Sequence, residues 1–309
     1  MNVVHRANFP DLLAVGFRKR FFDEYQRYPP EYTRLYNFET STRAYEEDTS
    51  LTGLSLVVKK PEGSPITYDA PLPGFNKKYV HATFASGFQI TMEAMQDDQS
   101  RDMMKMPTAL GYSMKVTEEI EGISEIDNGF TTACYDTQYF FDSDHPAKDP
   151  DVANQSNLGS AADLSETSLE TGIYDISLWQ DDRGLKEMHR PSALVIHPFN
   201  EFRAQKLLTS SHVPDLATGL GGATQGASGG PNDINPLQGR FHTEIYHYLT
   251  DPDAWFIRCE KHSLNWFWRM KPEFDRDNHF ETKNARYSII ARFSHGASNW
   301  RGWYGNRGA

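Results

Sequence analysis

Long hydrophobic runs are missing from this chain. No stretch of apolar residues approaches the roughly 18 that a membrane span requires. The N-terminus, MNVVHRANFPDLLAVGFRKRFF, has no continuous apolar segment of the signal-peptide kind. These absences predict a soluble protein made in the cytoplasm, with no membrane partner. Cysteine is scarce as well. Cys134 and Cys259 are the only two, both in apolar, strand-like stretches, and there is no C-x-x-C. That pattern predicts reduced core thiols, not a disulfide framework or a zinc site. Positive charge is in deficit: 31 Lys and Arg stand against 42 Asp and Glu, a net charge of −11. Neutralising phosphates supplies most non-specific affinity for nucleic acid, so this balance argues against DNA binding as the main task. A local basic patch stays open.

What is present points to a folded protein. The 309 residues are 38% hydrophobic and 13% aromatic, enough for one large domain or two lobes with a real core. Near the N-terminus, Leu12, Leu13, Val15, Phe17, Phe21 and Phe22 support a short helix that Pro29-Pro30 stops. Residues 38–78 flank the turn signal Pro61-Glu62-Gly63 and predict a long two-stranded excursion. Its large apolar residues are few: Leu51, Leu54, Leu56, Val57, Val58 and Ile66. A lone hairpin is marginal in water. It must pack on the body of its own chain or on a neighbouring subunit, and Lys59, Lys60, Lys77 and Lys78 would guard its edges.

A strand is expected over 79–91. Beyond it, Met92, Met95, Met103, Met106, Leu110, Met114 and Ile120 recur with helical spacing, and Pro107 permits a kink or a fresh start. The pattern predicts a rod of about 30 residues, about 45 Å long. From residue 130 the pattern is mixed α/β. FTTACYDTQYFF reads as a strand. LSETSLETGIYDISLWQDDRG reads as a helix with a Thr167/Glu170 capping pair, Leu169, Ile173 and Ile176 on one face, and Gly184 as its end. SALVIHP is a buried strand and FNEFRAQKLLTS a helix after it. Residues 214–236 are rich in glycine and predict a mobile loop. GRFHTEIYHYL, AWFIRCEK, LNWFWRM and HFETKNARYSIIARFSHG are strand candidates.

Candidate chemistry is sparse. Gly226-Ala227-Ser228-Gly229-Gly230 matches G-x-S-x-G but lacks the strand and helix that a nucleophile elbow needs. His242, Glu244 and His247 do not share one face of a strand. Asp142, Asp144 and His145 are the best candidate for a metal-dependent hydrolase, yet Asp-Ser-Asp-His-Pro also fits a polar turn, with Pro146 holding His145 extended. No phosphate loop or dinucleotide fingerprint is present, and no cofactor is expected.

Five stretches, taken in order, resemble a tailed-bacteriophage major capsid protein of the Mu-like major head subunit family. They are FFDSDHP, NQSNLGSAADLSETSLETGIYDI, RPSALVIHPFNEFRAQKLLTS, INPLQGRFHTEIYHYLTDPDAWFI and FDRDNHFETKNARYSIIARFSHGASNWRGWYGNRG. The resemblance is strongest over residues 128–308. It implies an α+β fold of the Hong Kong ninety-seven capsid type. In that reading residues 1–37 are the N-terminal arm and 38–80 the extended β-hairpin loop. Residues 81–127 open the peripheral domain with its long spine helix, 128–270 are mainly the axial domain, and 271–309 are C-terminal strands completing the sheets.

The same resemblance implies a structural, non-enzymatic protein of the virion. It would associate with itself as hexamers and pentamers around packaged DNA, which it encloses without reading sequence. A portal would be a further partner. With the fold starting near residue 1, a separate scaffolding protein, or none, is expected to assist. Phe21, Phe22, Leu54, Leu56, Val57, Lys59, Lys60, Trp300 and Trp303 are candidate assembly-interface residues, and the two tryptophans fit packing within their own subunit equally well. Some members cross-link covalently through a loop lysine; Lys59 or Lys60 has the position, but nothing in the sequence specifies a partner. The rival readings are an encapsulin-type compartment shell, the hydrolase, and a monomeric binding module.

Overall fold

The computed structural model describes residues 10–91, 93–94, 102–212, 234–278 and 284–309. Two compact units emerge, each assembled from three separate stretches of chain. The first comprises residues 1–47, 78–124 and 264–296, and the second 48–77, 125–263 and 297–309.

The first unit is built on a four-stranded sheet of order β1-β8-β9-β4. Strand β1 (Asn37–Thr40) runs parallel to β8 (Leu264–Asn278), and β9 (Ala285–Ala297) runs antiparallel to β4 (Ala82–Ile90). Burial alternates along most of β9, as expected for a strand with one face on a core. That core is aromatic. Trp266 stacks on Phe293 with centroids 4.4 Å apart, and Tyr32 lies 4.7 Å from Trp266. Helix α1 (Pro10–Tyr25) buries Phe17 and Phe21, and Phe17 meets Tyr287 edge-on at 5.0 Å. Strand β8 tolerates Pro272 because β1 pairs only with Asn265–Trp268, so the ladder beyond has an open side.

The long helix α2 spans Met106–Asp127, 22 residues, after a 3-10 turn at Asp102–Lys105. The rod of about 30 residues is therefore corrected to about 33 Å. Pro107 sits in its first turn, where a missing N–H costs nothing, so it starts the helix instead of kinking it. Met92 and Met95 lie outside the described residues. Leu110 and Met114 are buried, but Ile120 is half exposed, and the buried positions beside it are Glu118 and Glu119. Gly111 lets α1 approach closely, since a Cβ there would lie 2.6 Å from the Phe21 carbonyl oxygen.

The second unit has its own sheet, β10-β7-β5-β6. Strand β5 (Pro191–Ile196) is parallel to β6 (His242–Ile245) and antiparallel to β7 (Trp255–Cys259), which pairs antiparallel with β10 (Trp303–Asn306). The apolar runs ALVI and WFI are buried on both faces, so they show no alternation. Helix α3 (Glu166–Leu178) packs Gly172 against Tyr304 and Ile257 of this sheet. Helix α4 (Glu201–Thr209) buries Ala204, Leu207 and Leu208.

Several elements differ from what their sequences predict. The cap of α3 is Ser165, which exchanges hydrogen bonds with Ser168, not the Thr167/Glu170 pair, and the helix ends at Leu178. Gly184 instead makes a later turn at φ +77°. Residues 130–141 form no strand. Only Ala133 and Tyr139 bridge, around Thr137 at φ +74°, a conformation that interrupts extended chain. In the excursion, β2 (Tyr45–Leu51) pairs with β3 (Pro73–Val80), while 52–72 carry no strand. Strand β10 went unrecognised in the sequence. The glycine-rich segment falls largely outside the described residues, including the G-x-S-x-G match.

Candidate assembly surface

The triad suggested for chemistry is a structural knot in the second unit. His145 is 1% exposed. Its Nδ1 lies 2.6 Å from Asp136 Oδ2 and its Nε2 3.0 Å from Asn157 Oδ1. The Asn157 amide donates to the carbonyls of Phe140 and Trp303, at 2.8 and 3.1 Å, which fixes its oxygen toward the imidazole. Both ring nitrogens thus face acceptors, and Trp300 stacks on the ring at 4.6 Å. Asp142 accepts from the Ser143 and Tyr139 amides, and Asp144 accepts from the Asn154 side chain. The two carboxylates shape a turn and do not converge with His145. The true partner, Asp136, carried no sequence signal because it lies nine residues away in irregular chain.

His242 and His247 are exposed, whereas Glu244 is buried. Glu244 is taken up by Arg258 at 2.9 Å and by the Tyr246 hydroxyl at 3.2 Å. Among the described residues, no group of three or more His, Cys, Asp or Glu is placed to hold a metal ion. Cys134 and Cys259 are free, and burial pushes both thiols up to about 12.

The remaining candidates divide sharply. Phe21, Trp300 and Trp303 are buried within their own units, so in this conformation they offer no surface to a partner. Phe22 is half buried, edge-on to Phe21 at 5.0 Å. The loop residues are the opposite case. Leu56 is 75% exposed, Val57 99% and Tyr68 89%, and Leu54, Val58 and Ile66 also face solvent, next to exposed Lys59 and Lys60. Fully burying such aliphatic side chains is worth about 1.5–3 kcal/mol each, so an apolar strip of this kind is a strong adhesive left uncovered.

A second electrostatic feature lies in the first unit. Glu118 and Glu119, on one face of α2 with Lys115 and Gly122, hold the chain that leaves α1. The Tyr25 hydroxyl donates to Glu118 at 2.8 Å and the Tyr32 hydroxyl at 3.1 Å. Glu119 accepts the backbone N–H groups of Glu31 and Tyr32 at 2.8 and 3.0 Å. Lys115 donates to the Tyr28 carbonyl. Burial raises the Glu118 carboxyl from 4.5 to about 7 and also raises Glu119, while burial and the Glu118 charge raise both phenols.

Comparison with known proteins accounts for the fold. The Mu-like prophage major head subunit gpT family matches residues 11–163. The Mu-like prophage FluMu major head subunit of Haemophilus influenzae is 28% identical over 174 residues, 55% of this chain and 54% of that protein. The chain thus spans about half the length of the curated relative it matches. Among solved structures, the mature capsid of bacteriophage PhiM1 superposes with a TM-score of 0.58 at 9% identity, covering 91% of this chain and 87% of that one. The capsid of the empty GTA particle gives 0.57 at 10% identity, covering 91% and 90%. The capsid of bacteriophage JBD30 decorated with minor capsid protein trimers gives 0.52 at 16% identity, covering 72% and 92%. The fold is therefore that of Hong Kong ninety-seven-like phage capsid proteins.

Proposed function

We propose that this chain belongs to the Mu-like major head subunit gpT family, whose model matches residues 11–163, and is the major capsid protein of a phage head. Many copies associate as hexamers and pentamers into an icosahedral shell that encloses DNA without reading its sequence. The role is structural and not enzymatic, and its place is the virion. A portal completes the head, and a separate scaffolding protein, or none, assists closure. The observation that carries the reading is the loop over residues 52–72. It exposes Leu54, Leu56, Val57, Val58, Ile66 and Tyr68 together, which a free-standing protein would be expected to cover. A second copy of the chain supplies the cover, and repetition around a capsomer turns modest contacts into a stable assembly.

The test is a Leu56→Asp, Val57→Asp double variant compared with wild type by sedimentation velocity and electron microscopy. Both side chains are exposed in the free chain, so its circular dichroism and melting should match wild type while capsomers and shells disappear. Shell formation at the wild-type level would overturn the assignment of the loop as the assembling surface.

A further inference from the structure

The loop is apolar at its tip yet anchored at its base, and one arginine makes the anchor. Thr52 and Leu72 close the base, through Thr52 N donating to the Leu72 carbonyl at 3.0 Å and Leu72 N to Thr52 Oγ1 at 2.8 Å. Beyond them, Asp69 ties the two limbs together by accepting the Ser55 amide at 2.7 Å. The same carboxylate receives Arg183 side-on, with Nη2 2.7 and 2.9 Å from its two oxygens. Nη1 of Arg183 reaches Asp149 at 3.2 Å. The guanidinium is 11% exposed and Asp69 35%. The arginine is itself held in a tight turn, because Asp181 Oδ1 accepts the amides of Arg183 and Leu185 at 2.9 and 2.8 Å, with Gly184 at positive φ. Asp149 is likewise fixed, accepting the Asp151 amide at 3.1 Å. The Ser55 amide and then Arg183 hold the Asp69 carboxyl well below the usual carboxylate range.

We infer that Arg183 is a positioning residue: it clasps the loop, through Asp69, to the body of its own unit and so presents the apolar strip at a set angle to a second copy of the chain. The choice of partner rests on the capsid reading; the clasp itself does not. A loop fixed before contact has lost its freedom already, so docking sacrifices less entropy than docking of a free strap. Swinging the loop to another angle requires breaking a charge-assisted pair in which one nitrogen, Nη2, spans both carboxylate oxygens. That step becomes easier as salt rises, because the pair is partly open to solvent.

Trypsin reads the clasp directly. Lys59 is exposed at the tip and the Lys60-Pro61 bond resists cleavage, so trypsin cuts after Lys59 at a basal rate; because the protease must draw the flanking residues extended into its cleft, release of the loop's base quickens that cut. The measurement is made on the fraction that sediments as monomer, for wild type, Arg183→Gln, Asp69→Asn and the double variant. Each single variant should be cut roughly three- to tenfold faster, the factor expected for a charge-assisted pair of this exposure, and the double variant no faster than either. Wild-type cleavage should also accelerate with sodium chloride, and the Arg183→Gln rate should not. Equal rates in wild type and Arg183→Gln, with unchanged circular dichroism, would overturn the clasp. Shell yield is scored in parallel. Faster cleavage with undiminished yield from Arg183→Gln would overturn the presenting role. Absence of both capsomers and shells from wild type would count against the capsid reading while leaving the cleavage ratios to judge the clasp.

Discussion

Glu118 makes the stability of the first unit depend on pH in the unusual direction. Its carboxylate is 1% exposed, faces two phenol hydroxyls, and has Glu119 as its neighbour on α2. Burial is the largest influence and raises its proton affinity from 4.5 in the unfolded chain to about 7 in the fold. A raised carboxyl means the folded state binds the proton more tightly. The stabilising contribution is then fully present below about pH 4.5 and is lost as pH rises toward 7. At about 1.4 kcal/mol per pH unit, the span corresponds to about 3 kcal/mol. Glu118→Gln keeps the shape and removes the charge. Urea unfolding of both proteins at half-unit steps from pH 5 to 8 isolates the effect, because carboxylates elsewhere, such as Glu187 held near 2, contribute equally to both. The variant should lie within about 1 kcal/mol of wild type near pH 5 and exceed it by up to about 3 kcal/mol at pH 8. Parallel pH curves, or a variant weaker than wild type at pH 8, would refute the reasoning.

The buried knot around His145 should be equally sensitive to loss of a partner. Asp136→Ala leaves the imidazole facing an empty site and should cost about 3–5 kcal/mol in urea unfolding, and a loss below about 1 kcal/mol would count against the knot. The thiols should be inert. With both pushed up to about 12, native protein at pH 8 should react with a disulfide reagent roughly a thousandfold more slowly than unfolded protein, and rapid labelling of Cys134 in the fold would contradict its described surroundings.

Some of this structure is plain in the sequence. The apolar runs ALVI and WFI announce buried strands, and the spacing of Leu169, Ile173 and Ile176 announces α3, because burial imposes a period that composition displays. Pro29-Pro30 marks the end of the first helical segment in the same way. The few apolar residues of the excursion were legible too, but their exposure was not: the sequence left open whether Leu54, Leu56, Val57 and Val58 pack on their own chain. What escaped notice depends on partners distant in sequence. Nothing in the sequence marks Glu118 and Glu119 for burial, yet Tyr25, Tyr32 and two backbone amides some 90 residues earlier enclose them. The segment FTTACYDTQYFF has the composition of a strand, but the Thr137 turn and the Asp136–His145 pair fold it back on itself. Strand β10 is four residues, WYGN, and earns its ladder only because β7 lies beside it. Arg183 and Asp69 are each ordinary surface charges until the loop brings them together.

The most direct test of the capsid account is electron microscopy of the purified wild-type chain across a concentration series, with sedimentation on the same samples. The account predicts hexamers and pentamers as concentration rises, with closed shells following where closure needs no scaffolding protein. A protein that stays monomeric at every concentration, with and without a crowding agent, would contradict it.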